Sequence, residues 1–203
     1  MERVARGVYR LSGAPPVDYL GLRAAWLQLA PEIPAPVRRD QQGVVSHRSA
    51  AALYGIGDLP AERHDFTVSR RRQSRQPNVR LHVRKLPQSQ IVHLHGLPVT
   101  RPSRIASDLL QDREEPQAVA QVVADALRSI YDYPGTVADA LGPYAIQFGL
   151  RRKDGLAALR WLLDLVGDPQ TSRWMEEARA HVTERAGAAA KTPGVPATPA
   201  PIP

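Results

Sequence analysis

The sequence predicts an α+β fold, with a small mixed α/β half up to about Asp112 and a helical bundle after it. Three observations predict it. The segment from Val79 to Arg84, VRLHVR, alternates apolar and polar residues with a period of two, as a half-buried strand does. Farther on, Val119, Val122, Val123, Ala126, Leu127 and Ile130 recur at spacings of three and four, which lays an apolar stripe along one side of a helix. Beyond Asp112 no alternating segment interrupts the helical pattern. The chain has 203 residues, 43% of them apolar, enough for a core in one large or two small domains.

The elements follow in order. Val4 to Leu11 is expected as a strand, broken by Gly13-Ala14-Pro15-Pro16. Asp18 is placed to cap a helix from Tyr19 to Ala30, with Tyr19, Leu22, Trp26 and Leu29 on one face. Pro31, Pro34 and Pro36 end it. Ser46 opens a second helix, which Gly55 stops. Asp65 to Ser69 and Val79 to Arg84 are expected as strands, joined into an arginine-rich hairpin spanning Arg70 to Lys85. Ile91 to Leu94 and Leu97 to Thr100 are two more strands. Pro102 suits the first turn of a helix running to Asp112, with Ile105, Leu109 and Leu110 inward. After the stripe, Val137 to Phe148 is a further helix. Asp154 caps the next, with Leu156, Leu159, Leu163 and Val166 inward. Asp168-Pro169 starts the last, which carries Trp174, Ala178 and Val182. Trp161 and Trp174 are expected as packing anchors, an interface role being the other reading. The end of the chain, GAAAKTPGVPATPAPIP, has almost nothing large to bury and is expected to be disordered with polyproline character.

Charge is distributed unevenly. No acidic residue lies between Asp65 and Asp108, while that interval holds Arg70, Arg71, Arg72, Arg75, Arg80, Arg84, Lys85, Arg101 and Arg104. These nine positive charges exceed the formal net charge of the whole chain, +7. A field concentrated in this way favours a polyanion or an acidic protein face. Arginine outnumbers lysine 24 to 3. Its planar fork suits phosphate and carboxylate pairing; a GC-rich genome also raises arginine, but does not remove acids. Ser46-His47-Arg48-Ser49 admits two readings. It is a polar helix start offering NH groups and Arg48 to a phosphate or carboxylate, or simply a helix cap.

Several function classes are disfavoured. There is no cysteine, so disulfides, thiol chemistry and Cys-built zinc sites are excluded. His82, His93 and His95 invite a metal reading, but no carboxylate is near them in sequence, and no metal site is expected. Ser46 and His47 are adjacent and no orienting acid stands by, so they are not a catalytic dyad. Asp108, Asp112, Glu114 and Glu115 look like one helix end and its loop. No phosphate-binding loop motif is present. No catalytic residue and no cofactor are expected, and the chain is read as not an enzyme. No apolar run approaches the ~18 residues of a membrane span, and MERVARGVYRL lacks a signal-peptide core; no membrane association and a cytoplasmic location are expected.

Three segments taken together, in this order and spacing, resemble the AbiEi family of bacterial antitoxins. They are RVARGVYRL (Arg3 to Leu11), VVSHRSAAALYGIGDLP (Val44 to Pro60) and GLPVTRPSRIASDLL (Gly96 to Leu110). The resemblance implies a type IV toxin–antitoxin system in which the chain neutralises a nucleotidyltransferase-like toxin. It also implies an N-terminal winged helix-turn-helix acting in transcription regulation at operator DNA. On this resemblance residues 1–14 are the remnant of the wing, 15–112 a basic α/β antitoxin domain, 113–186 a helical C-terminal region and 187–203 a Pro/Ala-rich tail. A winged helix needs about three helices ahead of its wing, including the one that reads the major groove. This chain starts at the wing. Arg3, Arg6 and Arg10 can touch phosphates there, but phosphate contacts position a protein without specifying sequence.

The leading expectation is therefore an antitoxin that binds its toxin through Arg48, Arg70, Arg71, Arg72, Arg75, Arg80, Arg84, Lys85, Arg101 and Arg104. The alternatives are a DNA-binding autorepressor of its own operon and an enzyme that inactivates the toxin by covalent modification, for which no nucleophile or cofactor motif is visible.

Overall fold

The computed structural model describes residues 1–74 and 76–190. It is an α+β fold. The chain opens with two short antiparallel strands, β1 (Glu2–Ala5) and β2 (Val8–Arg10), in register Glu2 to Arg10 and Ala5 to Val8. The single strand expected over Val4 to Leu11 is thus a hairpin. Gly7, at φ +75°, supplies the left-handed backbone at its turn.

α1 (Leu20–Leu29) buries Leu22, Ala24, Ala25 and Trp26, so the face expected from Leu22 and Trp26 turns inward. Its start differs from expectation. Tyr19 holds the N-cap position in a left-handed conformation, φ +56°, and no side chain caps the helix. Asp18 instead lends its carbonyl to the Arg23 Nε, at 3.0 Å.

A five-stranded sheet follows, built from β3 (Val44–Val45), β4 (His64–Val68), β5 (Val79–Val83), β6 (Ile91–Leu94) and β7 (Leu97–Thr100), in the order β5-β4-β3-β7-β6. β6 and β7 form an antiparallel hairpin across His95 and Gly96, both at positive φ (+51° and +72°), the backbone of a tight two-residue turn. β4 and β5 are parallel, with His64 against Val79 and Val68 against Val83. The arginine-rich hairpin expected there does not form. Parallel neighbours require the chain to travel back to the starting end before the second strand begins. Arg72 pins the return by donating to the carbonyls of Leu29, at 2.6 Å, and Gln42. Gln76 adds a bond to the Gln28 side chain.

α2 (His47–Tyr54) ends as expected at Gly55, whose φ of +67° lets its N–H reach the carbonyls of Ala51 and Ala52. α3 (Pro102–Gln111) sinks Ile105, Leu109 and Leu110. α4 (Pro116–Arg128) buries Val119, Val122, Val123, Ala126 and Leu127. Ile130, counted in the same stripe, lies beyond the helix end at φ +56° and is 77% exposed. The helix expected over Val137 to Phe148 is two pieces: α5 (Pro134–Leu141), then a 3-10 segment, Gly142–Phe148. Pro143 breaks it, because a proline has no N–H for the α pattern.

α6 (Gly155–Leu165) is capped by Asp154, which accepts from the Ala157 N–H at 2.9 Å. α7 (Thr171–Ala190) starts where Asp168 accepts from the Gln170 N–H at 2.8 Å. α7 runs past Gly187, where the tail was expected to begin; residues 191–203 lie outside the described residues. Trp174 and Ala178 are buried, Val182 is exposed, and Trp161 stacks on Phe148 with ring centroids 4.4 Å apart.

One apolar cluster runs from Trp26 and Phe66 through Leu109 and Leu127 to Leu159 and Trp174. The sheet and the bundle therefore share a core. Asp132 ties them electrostatically. Its buried carboxylate accepts from the Ser103 N–H, at 2.9 Å, and from the Tyr133 N–H, at 3.0 Å. It thereby satisfies a donor that the first turn of α3 leaves unpaired. Among the described residues no helix is long and apolar enough to cross a membrane.

Candidate partner-binding surface

The acid-free interval of the sequence is partly closed in space by acids from outside it. Arg80, on the edge strand β5, meets Asp112 at the end of α3, Nη2 to Oδ2 3.1 Å. Arg104 pairs along α3 with buried Asp108, Nε to Oδ1 2.8 Å. Arg48 on α2 donates from Nε (2.9 Å) and Nη2 (2.6 Å) to one oxygen of Glu114. The helix end and loop that hold Asp108, Asp112 and Glu114 thus act as internal counter-ions for cations of the sheet half. Arg72 is also structural. It is half-buried against backbone carbonyls, and burial pushes its pKa down from the ordinary arginine value, with Glu32 acting the other way.

The remaining cations do not share these partners. Arg70 and Arg71 are exposed just past the end of β4, Lys85 is exposed past β5, and Arg84 beside it is half-buried. None of the four has an ion-pair partner among the described residues. Arg70, Arg84 and Lys85 line a cleft of about 410 Å³ together with Val44, Thr67, Ser69, Leu86 and Ile91. Its position follows from topology. β4 and β5 are parallel, so both end at the same edge of the sheet and deliver Arg70 and Arg84 side by side. Carboxyl ends of parallel strands are where open α/β sheets gather ligands. Arg101 precedes α3 and lines a separate cleft with Gln90 and Thr136. Arg75 lies outside the described residues. On the N-terminal hairpin Arg3 and Arg6 are exposed, while Arg10 folds back onto the Ala14 carbonyl.

A second cluster lies under the same sheet; the sequence offers Ser46 with His47 and, separately, His82, but nothing in it joins them. The rings of His47 and His82 stack with centroids 3.5 Å apart and planes 15° from parallel. His82 Nε2 sits 2.9 Å from Asp65 Oδ1, His47 Nδ1 sits 2.9 Å from the buried Ser46 hydroxyl, and His47 Nε2 faces Asp112 at 4.0 Å. His47 starts α2 at φ +53°, a costly conformation for a side chain of this size. Its pKa is lowered to about 3, first by burial and then by His82 beside it. His47 is therefore neutral at ordinary pH.

His47, His82 and Asp112 bring donor atoms within 4.8 Å of one another, but the arrangement does not fit a shared ion. An imidazole binds a metal in its own ring plane, and two nearly parallel planes 3.5 Å apart have no common point within bonding reach. Arg80 already supplies the cation that Asp112 faces. His93 and His95, weighed with His82 in sequence, are elsewhere. His93 pairs with Asp40 at 3.1 Å and His95 sits in the β6–β7 turn.

Residues 43–132, which span the sheet, both histidines and the cationic cleft, match the family model described as AbiEi antitoxin C-terminal domain. No curated protein matches the chain.

Proposed function

We infer, from the match of residues 43–132 to the AbiEi antitoxin C-terminal domain, that the chain is the antitoxin of a toxin–antitoxin system and neutralises a nucleotidyltransferase-like toxin by direct binding. The observation that carries this reading is the group of cations around the cleft, Arg70, Arg71, Arg84 and Lys85, which lack ion-pair partners among the described residues. They are not absorbed by the counter-ions that neutralise Arg48, Arg80 and Arg104. Such a surface steers an acidic protein face into place, while the apolar floor of Val44, Leu86 and Ile91 offers the contacts that hold it. Arg48, Arg72, Arg80 and Arg104 then act by shaping that surface. Co-expression with the toxin encoded beside it tests the reading. A complex that survives purification is expected, together with restored growth. Restored growth with the two proteins eluting separately overturns direct binding.

A second reading, operator binding, is favoured by one observation: the two-stranded hairpin presents Arg3 and Arg6 to solvent. A gel shift over a salt series tests it. Two phosphate contacts predict a slope of about −2 in log K against log salt, from about −0.9 per contact. Absence of any shift at low salt removes the reading.

A further inference from the structure

We propose that the cleft at the ends of β4 and β5 binds the phosphate group of a phosphorylated small molecule of about mononucleotide size. This goes beyond toxin binding: it shares the cations of that cleft and adds to them a buried, unpartnered hydroxyl and the size of the cavity. The first is an orphaned hydroxyl. Thr67 lines the cleft and is 1% exposed, and its Oγ1 has no hydrogen-bond partner among the described residues. A buried hydroxyl without a partner has lost its water and gained nothing in return, and an isosteric valine would avoid that cost. A ligand oxygen that accepts from Thr67 accounts for the threonine.

The second observation is convergence of charge. Arg70, Arg84 and Lys85 line the same cleft, and no carboxylate lines it with them. Two guanidinium forks and one ammonium match the charge and the oxygens of a phosphate. A merely solvated patch mixes signs and has no need of a buried donor. The third is size and wall chemistry. The volume of about 410 Å³ falls in the range of small-ligand sites. Val44 and Ile91 add apolar wall for a base or sugar, beyond what phosphate alone would use.

The test uses the full untagged chain in phosphate-free buffer, titrated calorimetrically with AMP, inorganic phosphate and adenosine. AMP is expected to saturate at one equivalent, inorganic phosphate to bind about 10-fold more weakly, and adenosine to give no saturable heat. Thr67→Val is expected to keep or raise the Tm, since the lost hydroxyl has no protein partner, while weakening AMP about 10-fold. Arg84→Gln is expected to weaken AMP at least as much. Arg70→Gln, on an exposed residue, repeats the test should the half-buried Arg84 be needed for folding. Adenosine binding as tightly as AMP, no saturable binding of either phosphate, or folded Thr67→Val and arginine variants with unchanged affinity each overturn the proposal. Equal affinities for AMP and phosphate overturn the nucleotide and leave free phosphate as the occupant. Toxin complex formation is scored in the separate co-expression, so loss of one activity leaves the other readable.

Discussion

Gly155→Ala is expected to destabilise the protein by about 3 kcal/mol or more, and to lower the Tm by roughly 6–12 °C for a chain of this size. A Cβ at residue 155 would sit 1.9 Å from the carbonyl oxygen of Ala138, 2.7 Å from its carbon and 3.3 Å from the Gly142 nitrogen. All three are backbone atoms, so no rotamer change relieves the clash. α5 and α6 would have to move apart, and each carries buried residues at the seam: Ala138 and Leu141 on one side, Ala158 and Leu159 on the other. Propensity alone predicts the opposite sign, since alanine for glycine at an unstrained helical site stabilises by about 0.4–1 kcal/mol. Gly55→Ala is the useful contrast. Nothing lies within 4 Å of its added Cβ, but φ is +67°, so it should cost only about 1 kcal/mol. Urea or thermal unfolding of both variants decides. A Gly155→Ala protein within 0.5 kcal/mol of the parent would mean that the two helices do not approach this closely.

That close approach shows what the sequence makes legible. Residues whose effect is local were readable: Gly55 ends α2, Asp154 caps α6, Asp168 holds the start of α7, and the stripe of α4 faces the core. Gly155 was readable only as part of a helix start, because the reason for its missing side chain lies 17 residues back in Ala138. Strand direction was invisible for a similar reason. Two strands with a polar linker between them look like a hairpin, and nothing in that linker announces that Arg72 will reach back to Leu29 and Gln42. Asp18 fitted the pattern of a cap, yet Tyr19 took the left-handed position at that helix start. Ile130 continued a spacing of three after the helix that gave the spacing meaning had stopped at Arg128.

The surface shows the same division. The gap in acidic residues between Asp65 and Asp108 is a property of the sequence; the neutralisation of Arg80 is a property of the fold, since Asp112 arrives from the end of α3, whereas Arg104 and Asp108 are an i,i+4 pair on one helix. His47 and His82 are 35 positions apart and meet only because α2 lies against the sheet. Thr67 reads as an ordinary strand residue until the walls of the cleft are assembled around it.

Reversing three exposed cations, Arg70 and Lys85 of the cleft and Arg71 next to Arg70 in the chain, as Arg70→Glu with Arg71→Glu and Lys85→Glu, is expected to slow association with the toxin about 100-fold at low ionic strength and to abolish growth rescue. Charge focused beside a low-dielectric cleft changes association rates by about 10–10³, and reversal adds repulsion to the lost attraction. The defect should shrink as salt rises, since the Debye length falls from about 10 Å at 0.1 M to 3 Å at 1 M. Folding should be unchanged, because these side chains are exposed and have no ion-pair partners among the described residues. The matched control is Arg151→Glu with Arg152→Glu and Lys153→Glu. It makes the same change of charge on three exposed residues in the helical half. Stopped-flow association of each variant with the toxin separates local recognition from bulk charge. If the control slows binding as much as the rim variant, net charge alone explains the effect and the cleft is not the recognition surface. If the rim variant binds at the parental rate, the toxin docks elsewhere on the chain.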